Sequence, residues 1–356
     1  MSSSTPGTRP IVLWLFVCAF LVFCTLVVGG GTRLTHSGLS IVEWKPISGV
    51  IPPITEADWQ IEFSKYQATP EYVKVNHQMS LDEFKGIFWW EFLHRLSGRT
   101  IGVVFALPFI FFWLRGYLDS ALRWRLIGIF LMGGMQGAMG WYMVKSGLID
   151  DPRVSQYRLT AHLSLAFIIF TAIVWLALDL TRPRLIKALR VQANSAVQRV
   201  RRLAFGIALW IGYMVVTGGF VAGIRAGKAY NTFPLMNGHI LPPESFLLEP
   251  WYLNLFNNMA LVQFNHRLGA WALAALVPWL WWQVRQLPVS PRALLASNSV
   301  LAMLVVQITL GISTLLMQVP VALGTAHQGG AMALFGLVLW LNHELRTENA
   351  GGVASR

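Results

Sequence analysis

The chain has 356 residues, of which 55% are hydrophobic and only 12% charged, with a mean hydropathy of +0.53; these values exclude an ordinary soluble domain of this length and place it in a bilayer. A formal net charge of +12 would suit nucleic acid, but the basic residues fall in short segments between long apolar runs, so the charge reports orientation in a membrane and no nucleic-acid partner is expected. Cys18 and Cys24 are the only cysteines; on one helix they stand about 9 Å apart at ~1.5 Å per residue, too far for a disulfide, which leaves metal chemistry to histidine and carboxylate.

The first apolar run, Ile11 to Val28, ends in Gly29-Gly30-Gly31 without a small-residue cleavage site. It reads as a retained first span. The connection from Thr32 to Trp90 is the longest and is rich in aromatic residues and prolines, with Glu62, Lys65, Asp82, Glu83 and Lys85 among its charges. It is expected to pack as short amphipathic helices over the outer face. Further runs at 94–114, 124–144, 158–178, 203–223, 264–284, 297–317 and 324–343 bring the expected spans to eight.

With eight spans both termini lie on one side of the membrane. The loops on that side carry Arg115, Arg123 and Arg125, then Arg182, Arg184, Lys187, Arg190, Arg199, Arg201 and Arg202, then Arg285 and Arg292. Both termini are therefore expected to be cytoplasmic.

Four spans are followed by four similar ones. Gly30-Gly31 ending the first span resembles Gly218-Gly219 ending the fifth, and Pro52-Pro53 and Pro242-Pro243 follow them. Glu91-Phe92-Leu93-His94-Arg95-Leu96 lines up with Gln263-Phe264-Asn265-His266-Arg267-Leu268, and Thr160-Ala161-His162 with Thr325-Ala326-His327. The expected fold is an all-α polytopic membrane protein: eight transmembrane helices as two tandem four-helix bundles related by pseudo-two-fold symmetry. The halves would be residues 1–180 and 203–345, with a basic cytoplasmic linker at 181–202 and a short disordered tail at 346–356.

His94, His162, His266 and His327 begin the even-numbered spans and so lie at similar depth toward the outer face. A single interfacial histidine commonly contacts only headgroups or a carbonyl; four at repeat-related positions point to a ligand in the bundle interior. Paired imidazoles in a cysteine-poor site favour haem over a closed zinc site, with His94 and His162 on one iron and His266 and His327 on another. Gly98, Ala166, Ala270 and Ala331, each four residues after a histidine, leave room for a flat macrocycle, though small residues also serve helix packing. Two readings fit Arg95 and Arg267: a bidentate hold on haem propionates, or an anchor on lipid phosphate.

The halves differ at Glu91, three residues before His94, where the second half has Gln263. A carboxylate transfers protons and an amide of the same shape does not, so the first half would do chemistry while the second holds a cofactor or relays electrons. An acid favoured by the helix dipole fits Glu91 as well. His36, His77 and His239 read as loop residues and His343 as a residue of a cytoplasmic helix end.

Phe63-Ser64-Lys65-Tyr66, Val75-Asn76-His77-Gln78-Met79-Ser80-Leu81-Asp82-Glu83-Phe84-Lys85, Trp90-Glu91-Phe92-Leu93-His94-Arg95 and Ala226-Gly227-Lys228-Ala229-Tyr230-Asn231-Thr232-Phe233-Pro234-Leu235-Met236 closely resemble the haem A synthase family, in its branch without an outer-loop cysteine pair. The resemblance implies a bacterial inner-membrane oxidoreductase that oxidises a ring methyl of haem O to a formyl group, by two hydroxylations and loss of water, for cytochrome oxidase biogenesis. It implies substrate haem O at His94 and His162, Glu91 as catalytic carboxylate, and cofactor haem b at His266 and His327. An electron donor, haem O synthase, cytochrome oxidase assembly factors and a second copy of the chain become candidate partners. The alternative is a di-haem b-type cytochrome carrying electrons from quinol. A transporter is disfavoured, because the histidines lie toward one face.

Overall fold

The computed structural model describes residues 8–46, 48–148, 152–181 and 195–351. Arg182, Arg184, Lys187 and Arg190 of the expected basic linker, and the last five residues of the expected tail, lie outside the described residues. All regular structure among the described residues is helical. In chain order it comprises α1 (Thr8–Leu34), α2 (Glu56–Gln67), α3 (Pro70–Lys74), α4 (Leu81–Leu114), α5 (Ser120–Lys145), α6 (Gln156–Thr181), α7 (Ser195–Gly223), the single turn α8 (Asn254–Asn257), α9 (Met259–Arg285), α10 (Pro291–Leu316) and α11 (Val321–Gly351).

Six of these, α1, α4, α6, α7, α10 and α11, are long and apolar enough to cross a membrane. Helices α5 and α9 are as long, at 26 and 27 residues. They carry more polar groups, among them Arg123, Arg125 and Gln136 on α5 and Gln263, His266 and Arg267 on α9.

Helix starts follow local chemistry. Ser80 accepts from the Glu83 amide while the Glu83 carboxylate accepts from Ser80, a reciprocal cap that opens α4 thirteen residues before His94. Thr55 and Asp58 cap α2 in the same way, Thr69 with Pro70 opens α3, and Ser290 with Pro291 opens α10.

Helices α1, α4, α5 and α6 pack in a closed ring in which each touches the next and α6 returns to α1; α7, α9, α10 and α11 do the same. The rings meet through α1 with α11, α6 with α7, and α6 with α11. One apolar core fills the first ring around Leu15, Leu126 and Ile173, and another fills the second around Ile207, Leu280 and Leu341. Cross-ties fix the register: Trp14 donates to the Val104 carbonyl (2.8 Å), and Gln328 donates to the Leu26 carbonyl across the two rings (2.9 Å).

The expected short helices of the first long connection are α2 and α3. Trp59, Phe63 and Tyr66 pack on Phe84, Phe88 and Phe92 of the first turns of α4. Each such ring contributes roughly 1.5–3 kcal/mol of burial, and aromatic pairing adds about 1 kcal/mol.

Two expectations at the far end are corrected. His343 is buried at 1% exposure, with its ring 5.6 Å from that of Trp175 and Nε2 3.3 Å from Asp179. The chain expected to be disordered from residue 346 stays helical to Gly351. Both follow from one polar cluster, in which Asp179 of α6 also accepts from Arg346 of α11 at 3.1 Å and so carries α11 beyond its apolar run.

Candidate functional site

One cavity of about 2150 Å³ runs through both rings and is lined by His94, His162, His266 and His327. That is more than twice the upper end of ordinary small-molecule sites, about 1,000 Å³. All four imidazoles are half-buried and face it.

Each imidazole lies against a glycine of the preceding long helix. A Cβ on Gly29 would stand 2.8 Å from His94 Nε2, and on Gly311 2.8 Å from His327 Cε1; on Gly140 and Gly218 it would stand 3.2 Å from Cε1 of His162 and His266. Only glycine lets the helices close to this distance without displacing the rings. The contact also sets the repeat register: Gly29, not Gly30, is equivalent to Gly218, a separation of 189 residues, the same as between His36 and Arg225. Gly30 faces the Gln328 amide instead.

The ring centroids of His266 and His327 are 6.5 Å apart, with planes at 81°. Two imidazoles bound to opposite sides of one metal ion, at about 2.0 Å per bond, place their centroids about 6 Å apart. The donor set and spacing therefore fit a bis-histidine haem. Gly98, Ala166, Ala270 and Ala331 line the same cavity, and a Cβ on Gly98 would meet nothing within 4 Å, as a surface for a flat ring requires.

Side chains not anticipated from the sequence hold the imidazoles. Thr217 Oγ1 lies 2.9 Å from His266 Nδ1 and donates to the Met214 carbonyl at 3.1 Å. With its proton so committed, the hydroxyl accepts Nδ1–H and leaves the Nε2 lone pair for a metal. Gln136 and Gln307 donate to the backbone carbonyls of His162 (3.1 Å) and His327 (3.0 Å) and lie beside their rings. The signal was a shared Gln-x-x-x-Gly, Gln136 to Gly140 and Gln307 to Gly311.

Glu91 is buried at 2% exposure. Its Oε2 accepts from the Ser40 hydroxyl and the Ile41 amide, both at 2.8 Å, and its Oε1 accepts from Arg95 Nε (3.0 Å) and Nη2 (2.5 Å). Gln263, equally buried, donates to the Ala226 carbonyl (2.7 Å) and accepts from Arg267 (2.9 Å). The arginines are also equivalent: Arg95 donates to the carbonyls of Ile41 (2.7 Å) and Glu43 (2.9 Å), and Arg267 to those of Tyr230 (2.8 Å) and Thr232 (2.9 Å). Most of each guanidinium is thus committed to loop backbone.

Of the other histidines, His77 and His239 lie exposed in loops, while His36 lines the cavity mouth beside Arg225. Glu71 of α3 also lines it. Burial pushes its carboxyl up to about 7, against the hydrogen bond from Tyr66 at 3.3 Å, which lowers it.

Two rings of four long helices, with glycine-backed histidines facing one cavity, define a polytopic helical membrane architecture whose donor set fits haem. The family of cytochrome oxidase assembly proteins, COX15-CtaA, matches residues 12–339, and the chain belongs to that family. It is 57% identical over 340 residues to the heme A synthase of Nitrosospira multiformis, covering 96% of this chain and 94% of that one. It is 52% identical over 341 residues to the heme A synthase of Nitrosomonas eutropha (96% and 95% covered) and 49% over 339 residues to that of Paramagnetospirillum magneticum (95% and 94%).

Proposed function

We propose that this chain is the membrane oxidoreductase that converts haem O to haem A for cytochrome oxidase biogenesis, with the N-terminal half as reactive site and the C-terminal half as cofactor site. The observation that carries the reading is the single chemical difference between equivalent buried pairs, Glu91 with Arg95 and Gln263 with Arg267.

His94 and His162 ligate the iron of haem O and hold its ring in the cavity. Glu91 accepts and returns protons as a ring methyl is hydroxylated twice and the resulting diol loses water to leave the formyl group, a net four-electron oxidation of that carbon (R–CH3 + H2O → R–CHO + 4 H+ + 4 e−) whose electrons pass to an external oxidant such as dioxygen. Its two oxygens are held by separate sets of donors, the loop on one and Arg95 on the other. His266 and His327 hold haem b, which when bound supplies a redox-active iron for single-electron transfer. Arg95 and Arg267 serve the two haem sites by holding the loops after α1 and α7 over them.

A second asymmetry supports this division. Thr217, which fixes the His266 tautomer, has Val28 as its equivalent, and valine accepts no proton. His266 is therefore built to keep its iron, whereas His94 suits a substrate that must leave. Thr217→Val is expected to weaken haem retention in the C-terminal half about 10–100-fold, read from loss of the low-spin spectrum on dilution, while haem O binding in the other half is unchanged.

All eight long helices cross the bacterial inner membrane, with both termini cytoplasmic and the histidines toward the outer face. The halves are related by a pseudo-two-fold axis along the membrane normal. Exchanging equivalent helices turns the α1–α11 contact into α7–α6 and leaves α6–α11 on the axis.

The decisive test is pigment extraction from cells that make the chain beside a source of haem O. Haem A is expected. Unchanged haem O with two retained b haems would establish instead the di-haem cytochrome, a reading that relatives named heme A synthase do not favour.

A further inference from the structure

Besides Lys74 and Arg153, the lysines and arginines lining the cavity fall into two groups. Arg95, Arg99 and Arg267 are tied to loop carbonyls. Arg33, Arg225 and Lys228 line it where the end of α1 meets the turn after α7. Arg33 is half-buried and the other two stand at the exposed rim; neither Arg33 nor Lys228 makes a side-chain hydrogen bond to another described residue. The acids among the described residues lining the cavity are Glu71 and Glu91, and both accept hydrogen bonds from other groups. Positive charge at this seam is in excess.

The backbone builds the seam. His36 (φ 55) and Arg225 (φ 58) are equivalent residues in the left-handed region just past α1 and α7, and they meet with Arg225 Nη2 3.3 Å from His36 Nδ1. Arg225 thereby leans onto the N-terminal half. Arg33 stands four residues after Gly29, on the same face of α1 and about 6 Å further along the axis than the glycine that backs His94. The equivalent of Arg33 is Ala222, so this cation belongs to the half that has Glu91.

Two axial imidazoles leave a porphyrin to turn about the line joining them. Something at its edge must decide which of several ring methyls meets Glu91. We propose that Arg33, with Arg225 and Lys228 reaching across from the C-terminal half, forms a carboxylate-binding site that takes the propionates of the porphyrin held at His94 and His162 and so sets which methyl is oxidised. This rests on the assignment of that half to haem O. Guanidinium and ammonium groups suit carboxylates, and Arg95, one obvious candidate by sequence, is committed to its loop.

The test titrates the purified full-length chain, carrying its C-terminal haem, with haem O and with the dimethyl ester of haem O, and reads the Soret shift. Wild type is expected to prefer the free acid about tenfold or more. Arg33→Gln is expected to remove most of that preference by weakening the acid and sparing the ester, and Arg33→Lys to restore part of it; the C-terminal haem spectrum reports folding. Equal affinity of wild type for acid and ester overturns the proposal without any variant. So does an undiminished preference in the triple variant Arg33→Gln, Arg225→Gln, Lys228→Gln. Haem A formation without a preference removes only this inference, whereas failure of wild type to bind haem O or make haem A removes the functional assignment with it.

Discussion

Glu91→Gln is expected to lower haem A formation by about 10²–10⁴-fold, the usual weight of a general acid or base, while haem O still binds at His94 and His162. The substitution copies the C-terminal half into the N-terminal one without copying its surroundings. Oε2 of Glu91 faces two donors, the Ser40 hydroxyl and the Ile41 amide, and Oε1 faces Arg95. An amide there must turn its NH₂ toward a donor on one side, a mismatch worth about 1–3 kcal/mol. Gln263 escapes it because its NH₂ meets the Ala226 carbonyl. For the same reason Gln263→Glu is expected to lower stability without creating a second reactive site. Extracted pigments and a thermal melt read both effects; haem A at wild-type yield from Glu91→Gln would remove the carboxylate from the reaction.

His266→Ala is expected to empty the C-terminal half, with haem retention falling at least tenfold and haem A formation lost with it. Truncation leaves His327 with no opposing imidazole at 6.5 Å and leaves Thr217 without the Nδ1–H it accepts. The purified variant should lose its resident low-spin spectrum yet still show a Soret shift on adding haem O. An unchanged resident spectrum would show that the retained haem sits elsewhere.

Much of the site was legible because the chain writes it twice. The Glu/Gln-Phe-x-His-Arg and Thr-Ala-His strings expose four histidines and one asymmetry at matching positions. What was missed depended on groups that look ordinary alone. Gln136, Gln307 and Thr217 are unremarkable in apolar runs until a ring stands beside them, and Gly29 was misaligned by one residue because three consecutive glycines carry no register of their own. Arg95 and Arg267 stood out beside their histidines, but their partners are backbone carbonyls, which leave no mark in a sequence. The start of α4 was set too late because Asp82, Glu83 and Lys85 lower the local hydropathy, although Ser80 and Glu83 spelled its cap. His343 was read as an end residue because hydropathy fades there; the partner that buries it, Asp179, lies on another helix.

Helix α4 runs unbroken from its cap at Ser80 through Phe84, Phe88, Glu91 and His94 to Leu114. The aromatic cap and the His94 imidazole are fixed to the same rod, with Phe84 and His94 about 15 Å apart along it. A push on the outer surface formed by α2 and α3 therefore acts as a lever on the imidazole, and the Gly29 contact is its fulcrum. No hinge separates them.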